Sequence, residues 1–248
     1  MLRTYGRWLI LASLCGPCAI AQQHEQFSTR GDRLPDGSTP HVVFDLSKTQ
    51  PNWAGTDGAG CCVMASNRNN AIYLGMEDVG ETLKRVSQSR PGGHWHEKFL
   101  EQMKLVEAEH PGIQYWSNPS ADWSVLREYN RRGLPIGITM GTGARYRYQI
   151  IGHMVSAVHI GEDNELSAYC DNNFPRELSA MPTPIFQRRA AIGNPTGKPW
   201  ATILFPRRRP LSPLRRWQDE AAFALICIAI AGWSWTIAQR LTSQRMLR

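Results

Sequence analysis

Apolar positions follow two different rhythms along this chain. From Cys62 onward they recur every three or four residues, the spacing of one helical face, whereas after Gly133 they come as short runs bounded by turn formers. Residues 62–74 and 76–87 predict two helices, and Pro91-Gly92-Gly93 then breaks the chain. In 96–109, Phe99, Met103, Leu105 and Val106 mark a third helix that Pro111-Gly112 ends. Residues 120–129 predict a fourth, stopped at Arg132-Gly133 with the glycine as a left-handed cap. Residues 134–140, 154–160 and 166–170 predict strands, the last two joined by the turn Gly161-Glu162-Asp163-Asn164. A short strand is also expected at 41–46, then a loop over 47–60, and 141–147 reads as a flexible flap. Helices precede strands, so the expected class is α+β rather than alternating βαβ, without internal repeats.

The two ends differ from the middle. Residues 1–21 place Arg3 and Arg7 ahead of the apolar run 8–14 and end in Ala19-Ile20-Ala21, the layout of a secretory signal cleaved before Gln22. Residues 22–40 are polar and rich in turn formers, a flexible leader without a fixed fold. The compact domain is expected over 41–205, long enough for one core, followed by a Pro/Arg-rich linker at 206–217. Residues 218–239 read as a transmembrane helix around an uncharged run of 18 residues, 221–238, with a short basic tail at 240–248. Trp217, Trp233 and Trp235 suit the membrane interfaces. Five arginines precede this run (207, 208, 209, 215, 216) and three follow it (240, 245, 248), a balance that runs against exporting the domain. The signal-like start outweighs it, so the expected location is an exported domain anchored at its C-terminal end.

Charge narrows the partners. The net charge is +7, yet residues 22–205 carry 18 basic and 19 acidic side chains. The basicity belongs to the ends, and a nucleic-acid-binding core is not indicated.

The candidate chemistry centres on Gly58-Ala59-Gly60-Cys61-Cys62-Val63, where a cysteine follows small residues and opens a helix. Backbone N–H groups and the positive end of the helix dipole favour a thiolate in such a place. Far downstream stand Gly152-His153-Met154-Val155 and, at the end of the next strand, Asp171-Asn172. A cysteine, a histidine and then Asn or Asp, in that chain order, resembles the papain-like cysteine peptidase superfamily. From Trp123 to Asn172 the chain runs through a helix, Arg132-Gly133-Leu134-Pro135-Ile136, a Gly-His strand and a terminal acid. That half is most similar in look to the bacterial C39-like peptidases, and the likeness as a whole covers roughly residues 50–175.

The resemblance implies a papain-like fold, with the nucleophile helix of an N-terminal helical half packed on a C-terminal antiparallel sheet. It implies Cys62 as nucleophile, with Cys61 as its rival, and His153 as general base and then acid. The orienting residue has two candidates. Leu166, Ala168 and Cys170 form the apolar parity of their strand, and Asn172 continues it, which favours Asn172 for a histidine approached from the core side. The C39-like likeness, or a bulge at the strand end, favours Asp171 instead. Asn172 is narrowly preferred. Papain relatives carry a glutamine about six residues before the cysteine to bind the oxyanion, but Thr56 stands there in this chain. Asn52 takes that role if the loop is longer, with the Cys62 N–H as second donor.

Other clusters carry less. His94-Trp95-His96 sets two imidazoles on one face but lacks a third metal ligand nearby, so a solvated loop is the expected reading. His159 shares the parity of His153 and is expected to flank the site or to pack. Arg145 and Arg147 on the flap are expected to meet substrate or to face solvent. Outside the membrane run, which holds Cys227, the exported domain has Cys61, Cys62 and Cys170, compatible with a Cys61–Cys170 pair or with no disulfide. The expected function is a membrane-anchored thiol hydrolase, a cysteine peptidase acting on peptide or protein substrates without cofactor or metal. The alternatives are an inactive binding domain and an acyl transferase or amidase on the same fold.

Overall fold

The computed structural model describes residues 25–207 apart from His94, Gly193 and Pro195. The signal-like segment 1–21 and the expected transmembrane helix and tail lie outside these residues. Among the described residues, no helix is long and apolar enough to cross a membrane.

Among the described residues, five α-helices and a seven-stranded antiparallel sheet make up an α+β fold. In chain order these are β1 (Gln26–Ser28), α1 (Cys62–Tyr73), α2 (Glu77–Gln88), α3 (His96–Glu109), β2 (Gln114–Asn118), α4 (Trp123–Arg131), β3 (Ile136–Met140), β4 (His153–Ile160), β5 (Leu166–Cys170), β6 (Leu178–Pro182), α5 (Thr183–Ala191) and β7 (Ala201–Phe205). The sheet order is β1-β6-β5-β4-β3-β7-β2, so β4 is central, and all eight of its residues are buried. Helices α1 to α3 pack a core of Met64, Leu83, Phe99, Met103, Met154 and Leu204. Helices α4 and α5 build a second core around Leu126, Ile138, Val155, Tyr169 and Phe186. Neighbouring residues of β4 therefore serve opposite cores, as the two-residue strand period requires.

Helix α1 carries Ser66, Asn67, Arg68, Asn69 and Asn70, polar residues that would ordinarily face water, yet all five are buried. Burial of such groups is tolerated where hydrogen bonds replace water. Ser66 Oγ donates to Met154 O at 2.9 Å, Thr202 Oγ1 to Asn67 Oδ1 at 3.0 Å, and Asn69 Nδ2 to Gln50 O at 3.0 Å. The helix is thereby keyed to β4, β7 and the loop before it, which sets where its first residue, Cys62, stands.

The predicted elements from 62 to 170 lie within a few residues of those observed. Three expectations are corrected. Residues 41–46 form no strand. Val42, Phe44 and Leu46 are buried with strand-like alternation, but they cover the sheet rather than join it. Their one bond to it is Val42 N–H to Val158 O, 3.0 Å, at a β4–β5 register shift between Ala157 and His159. The leader is not without structure either: Gln26–Ser28 pairs with β6, and Leu34 is buried. The flap contains a 3-10 turn, Ala144–Tyr146, fastened on several sides. Strands β2, β6 and β7 and helix α5 had no counterpart in the pattern reading. The three strands have five residues each, and their register is fixed by pairing with their neighbours.

Candidate active site

Cys62 is the first residue of α1, half-buried, and it shares a cavity of about 430 Å³ with His153. The rest of the wall is largely apolar, with Trp95, Met140, Ile151, Ile192 and Trp200 its bulky members. His153 opens β4 and is buried, as is Asp171, one residue past β5. The His153 Nε2–H donates to Asp171 Oδ1 at 2.8 Å, and the other edge of the ring is left for the cavity it shares with Cys62. Asp171 is held in turn. Tyr146 Oη donates to its Oδ2 at 2.8 Å, and the Asn173 N–H donates to Oδ1 at 2.8 Å. The Tyr146 ring also leans on the imidazole, with centroids 5.6 Å apart.

The structure brings Cys62, His153 and Asp171 together and assigns Asn172 a different place. Asn172 Nδ2 points to the α1 side, donating to Cys62 O at 3.0 Å, Ser66 Oγ at 2.8 Å and Met154 O at 2.9 Å. The preference for Asn172 as the histidine's partner is therefore corrected to Asp171. Parity misled because both faces of this sheet are buried, so an apolar set does not mark the histidine's face. The ladder does: Ala157 pairs with Tyr169, so His153, four residues back along β4, and Asp171, two residues on along β5, lie on the same face.

Asn52 sits beside Gly60, where a Cβ on the glycine would stand 2.9 Å from Asn52 Nδ2. Its backbone N–H donates to Asn172 O at 2.7 Å, but Asn52 is not among the residues lining the cavity. His159 is turned away from it. The register shift after Ala157 breaks the shared parity, and His159 stacks on His41 at 4.1 Å beside a separate cavity. Arg145 neither meets the cavity nor faces only solvent: its guanidinium lies over Phe27 at 4.3 Å and donates to Glu177 at 2.6 Å. Arg147 is exposed. His96 reaches the cavity wall, while His94 falls outside the described residues.

Among the described residues Cys61, Cys62 and Cys170 are all free, so no Cys61–Cys170 disulfide is formed. Burial, with Cys62 adding to it, pushes the Cys61 thiol up to about 11. Burial also pushes Cys170 up to about 12, with the Asp171 charge reinforcing it. Both are therefore held as neutral thiols near neutral pH, and Cys61 is fully buried where Cys62 reaches the cavity.

His153 moves the other way from an ordinary buried histidine. Burial works against its charge, but the hydrogen bonds and charges of Asp171 and Cys62 outweigh it and raise the imidazole to about 9. Because this value lies above the usual 6.5, the stability it contributes is complete below about 6.5 and is lost as pH climbs through about 9. His159 is opposite. Burial first, and His41 second, lower it to about 4, so its contribution holds above about 6.5 and disappears as pH falls through about 4. Melting temperature measured against pH is expected to fall on both sides of this range. His153→Gln should flatten the alkaline slope alone, and His159→Gln the acid slope alone.

Tyr146 and Asn172 are the site's members that motif reasoning did not reach in their actual roles. Neither has a spacing signal, since Tyr146 arrives on a loop and Asn172 acts on a helix. No protein-family model and no curated protein matches the chain.

Proposed function

We propose that this protein is a thiol hydrolase of papain-like type, most simply a peptidase, cleaving peptide or amide bonds through an acyl-enzyme. The observation that carries the reading is a helix-opening cysteine sharing a cavity with a buried histidine backed by a carboxylate. An imidazole raised to about 9 is protonated at neutral pH, the form that passes a proton to a leaving amine.

In this mechanism Cys62 Sγ⁻ attacks the substrate carbonyl carbon, and the Cys62 N–H faces the developing oxyanion. The C–N bond breaks as His153 Nδ1–H passes its proton to the leaving amine. A water then gives a proton to His153 as its oxygen attacks the thioester, and the C–S bond breaks to release the carboxylic acid and restore the Cys62 thiolate beside the protonated His153. The apolar cavity wall accepts an uncharged side chain of the substrate. The same reading takes residues 1–21 as an export signal and 221–238 as the anchor.

Alkylation with iodoacetamide, followed by peptide mapping, tests this directly. Cys62 is expected to be modified rapidly in the folded chain while Cys61 and Cys170 stay unmodified, and Cys62→Ala should abolish labelling of the 25–207 peptides. An unreactive Cys62 in folded protein would favour a binding domain instead.

A further inference from the structure

Glu25 is a charged residue with no place in the chemistry above, yet it is among the most deeply buried carboxylates in the fold. Its side chain is 1% exposed and that of its partner Arg189, on α5, is 4% exposed. Such a pair persists only where its remaining hydrogen-bonding capacity is met. Here Glu25 Oε2 accepts from Arg189 Nη1 and from the Ala144 N–H at 2.8 Å, while Oε1 accepts from Tyr169 Oη on β5 at 2.9 Å. One carboxylate thus joins the residue before β1, the helix α5, the central sheet and the 3-10 turn. Two positions further along β1, Phe27 lies under Arg145 of the same turn at 4.3 Å.

That turn is not self-supporting. Arg147 and Tyr148, directly after it, both adopt left-handed backbone, φ 52° and 58°, which side-chain-bearing residues hold only when their surroundings dictate it. At its third residue it presents Tyr146 to Asp171. The charged and titratable groups meeting at the far end are Cys62 from α1, His153 from β4, Asp171 after β5 and Tyr146 itself.

We propose that docking of the N-terminal strand completes the catalytic site. Glu25 is a positioning residue that fixes the Ala144–Tyr146 turn and, through Tyr146, the Asp171–His153 pair. This rests on the hydrolase reading and deepens it: the site is competent only while β1 is seated.

The test is the pH dependence of Cys62 alkylation by iodoacetamide in the full chain, with melting temperature measured alongside. Glu25→Gln removes the charge that faces Arg189. Ala144→Pro removes only the N–H that Glu25 accepts and leaves the ion pair intact. Proline suits the first residue of the turn, and Gly143 before it is already extended (φ −168°, ψ 166°). Both variants are expected to alkylate about tenfold more slowly near pH 6, with the acidic limb moved to higher pH, because a misplaced carboxylate orients the imidazolium poorly. The double variant should be no slower than either single one.

Profiles that superimpose on the unaltered chain, with or without lowered melting temperature, would overturn the positioning role while leaving the hydrolase intact. If Glu25→Gln does not fold, Ala144→Pro decides alone. If Cys62 of the unaltered chain does not react, the hydrolase reading fails and this proposal with it.

Discussion

Cys62→Ala is expected to reduce hydrolysis of peptide substrates by about four orders of magnitude or more, because nothing else at the cavity can form the acyl-enzyme. Cys61→Ala, one residue away, is expected to retain activity. The contrast is sharp because the two thiols face different environments. Cys61 is fully buried at the helix cap, its Sγ 3.8 Å from Ser87 O, whereas Cys62 opens onto the cavity. Turnover of a panel of fluorogenic peptides, with melting temperature as the control for folding, measures both. Activity persisting in Cys62→Ala, or lost in a folded Cys61→Ala, would remove Cys62 from the mechanism.

The second large effect separates two adjacent residues. Asp171→Ala is expected to lower kcat about a thousandfold in protein that still folds, since His153 loses the acceptor that fixes its tautomer and supports its charge. Asn172→Ala is expected to act on stability first. Its amide nitrogen serves Cys62 O, Ser66 Oγ and Met154 O, all at 3.0 Å or less. Taking that donor from a buried cluster costs about 2 kcal/mol or more. Urea denaturation should show the loss in Asn172→Ala, while activity per folded molecule falls far less than in Asp171→Ala. The reverse pattern would restore Asn172 as the orienting residue.

These two neighbours also mark where sequence reasoning stops. Helices α1 to α4 and strands β3 to β5 announce themselves through apolar spacing, glycine and proline breaks, and the Gly133 cap, all local properties. The cysteine and histidine were likewise legible, because a helix start after small residues and a Gly-His strand are local features. The partner of the histidine was not. Choosing between Asp171 and Asn172 requires the β4–β5 register and the knowledge that helices cover both faces of the sheet, and no stretch of the chain contains either. His159 fails for a related reason: one register shift, between Ala157 and His159, turns a shared parity into opposite faces.

Segments with weak local patterns depended most on the fold. Residues 41–46 alternate like a strand, yet β4 already has β3 and β5 on its two edges, so the segment lies over the sheet and makes a single backbone–backbone bond to it. Glu25 and Phe27, in a stretch of ordinary polar composition, matter because α5 and the 3-10 turn arrive from more than a hundred residues away.

By itself, then, the amino-acid order determined the α+β class, the helical first half, and a thiol and an imidazole placed at the starts of a helix and a strand. Only the tertiary structure decided that a carboxylate backs that imidazole, that Tyr146 holds the carboxylate, and that a buried Glu25 braces the turn carrying Tyr146. Helix and strand periodicity is written into neighbouring residues, whereas the meeting of side chains across a sheet depends on register and on long-range packing.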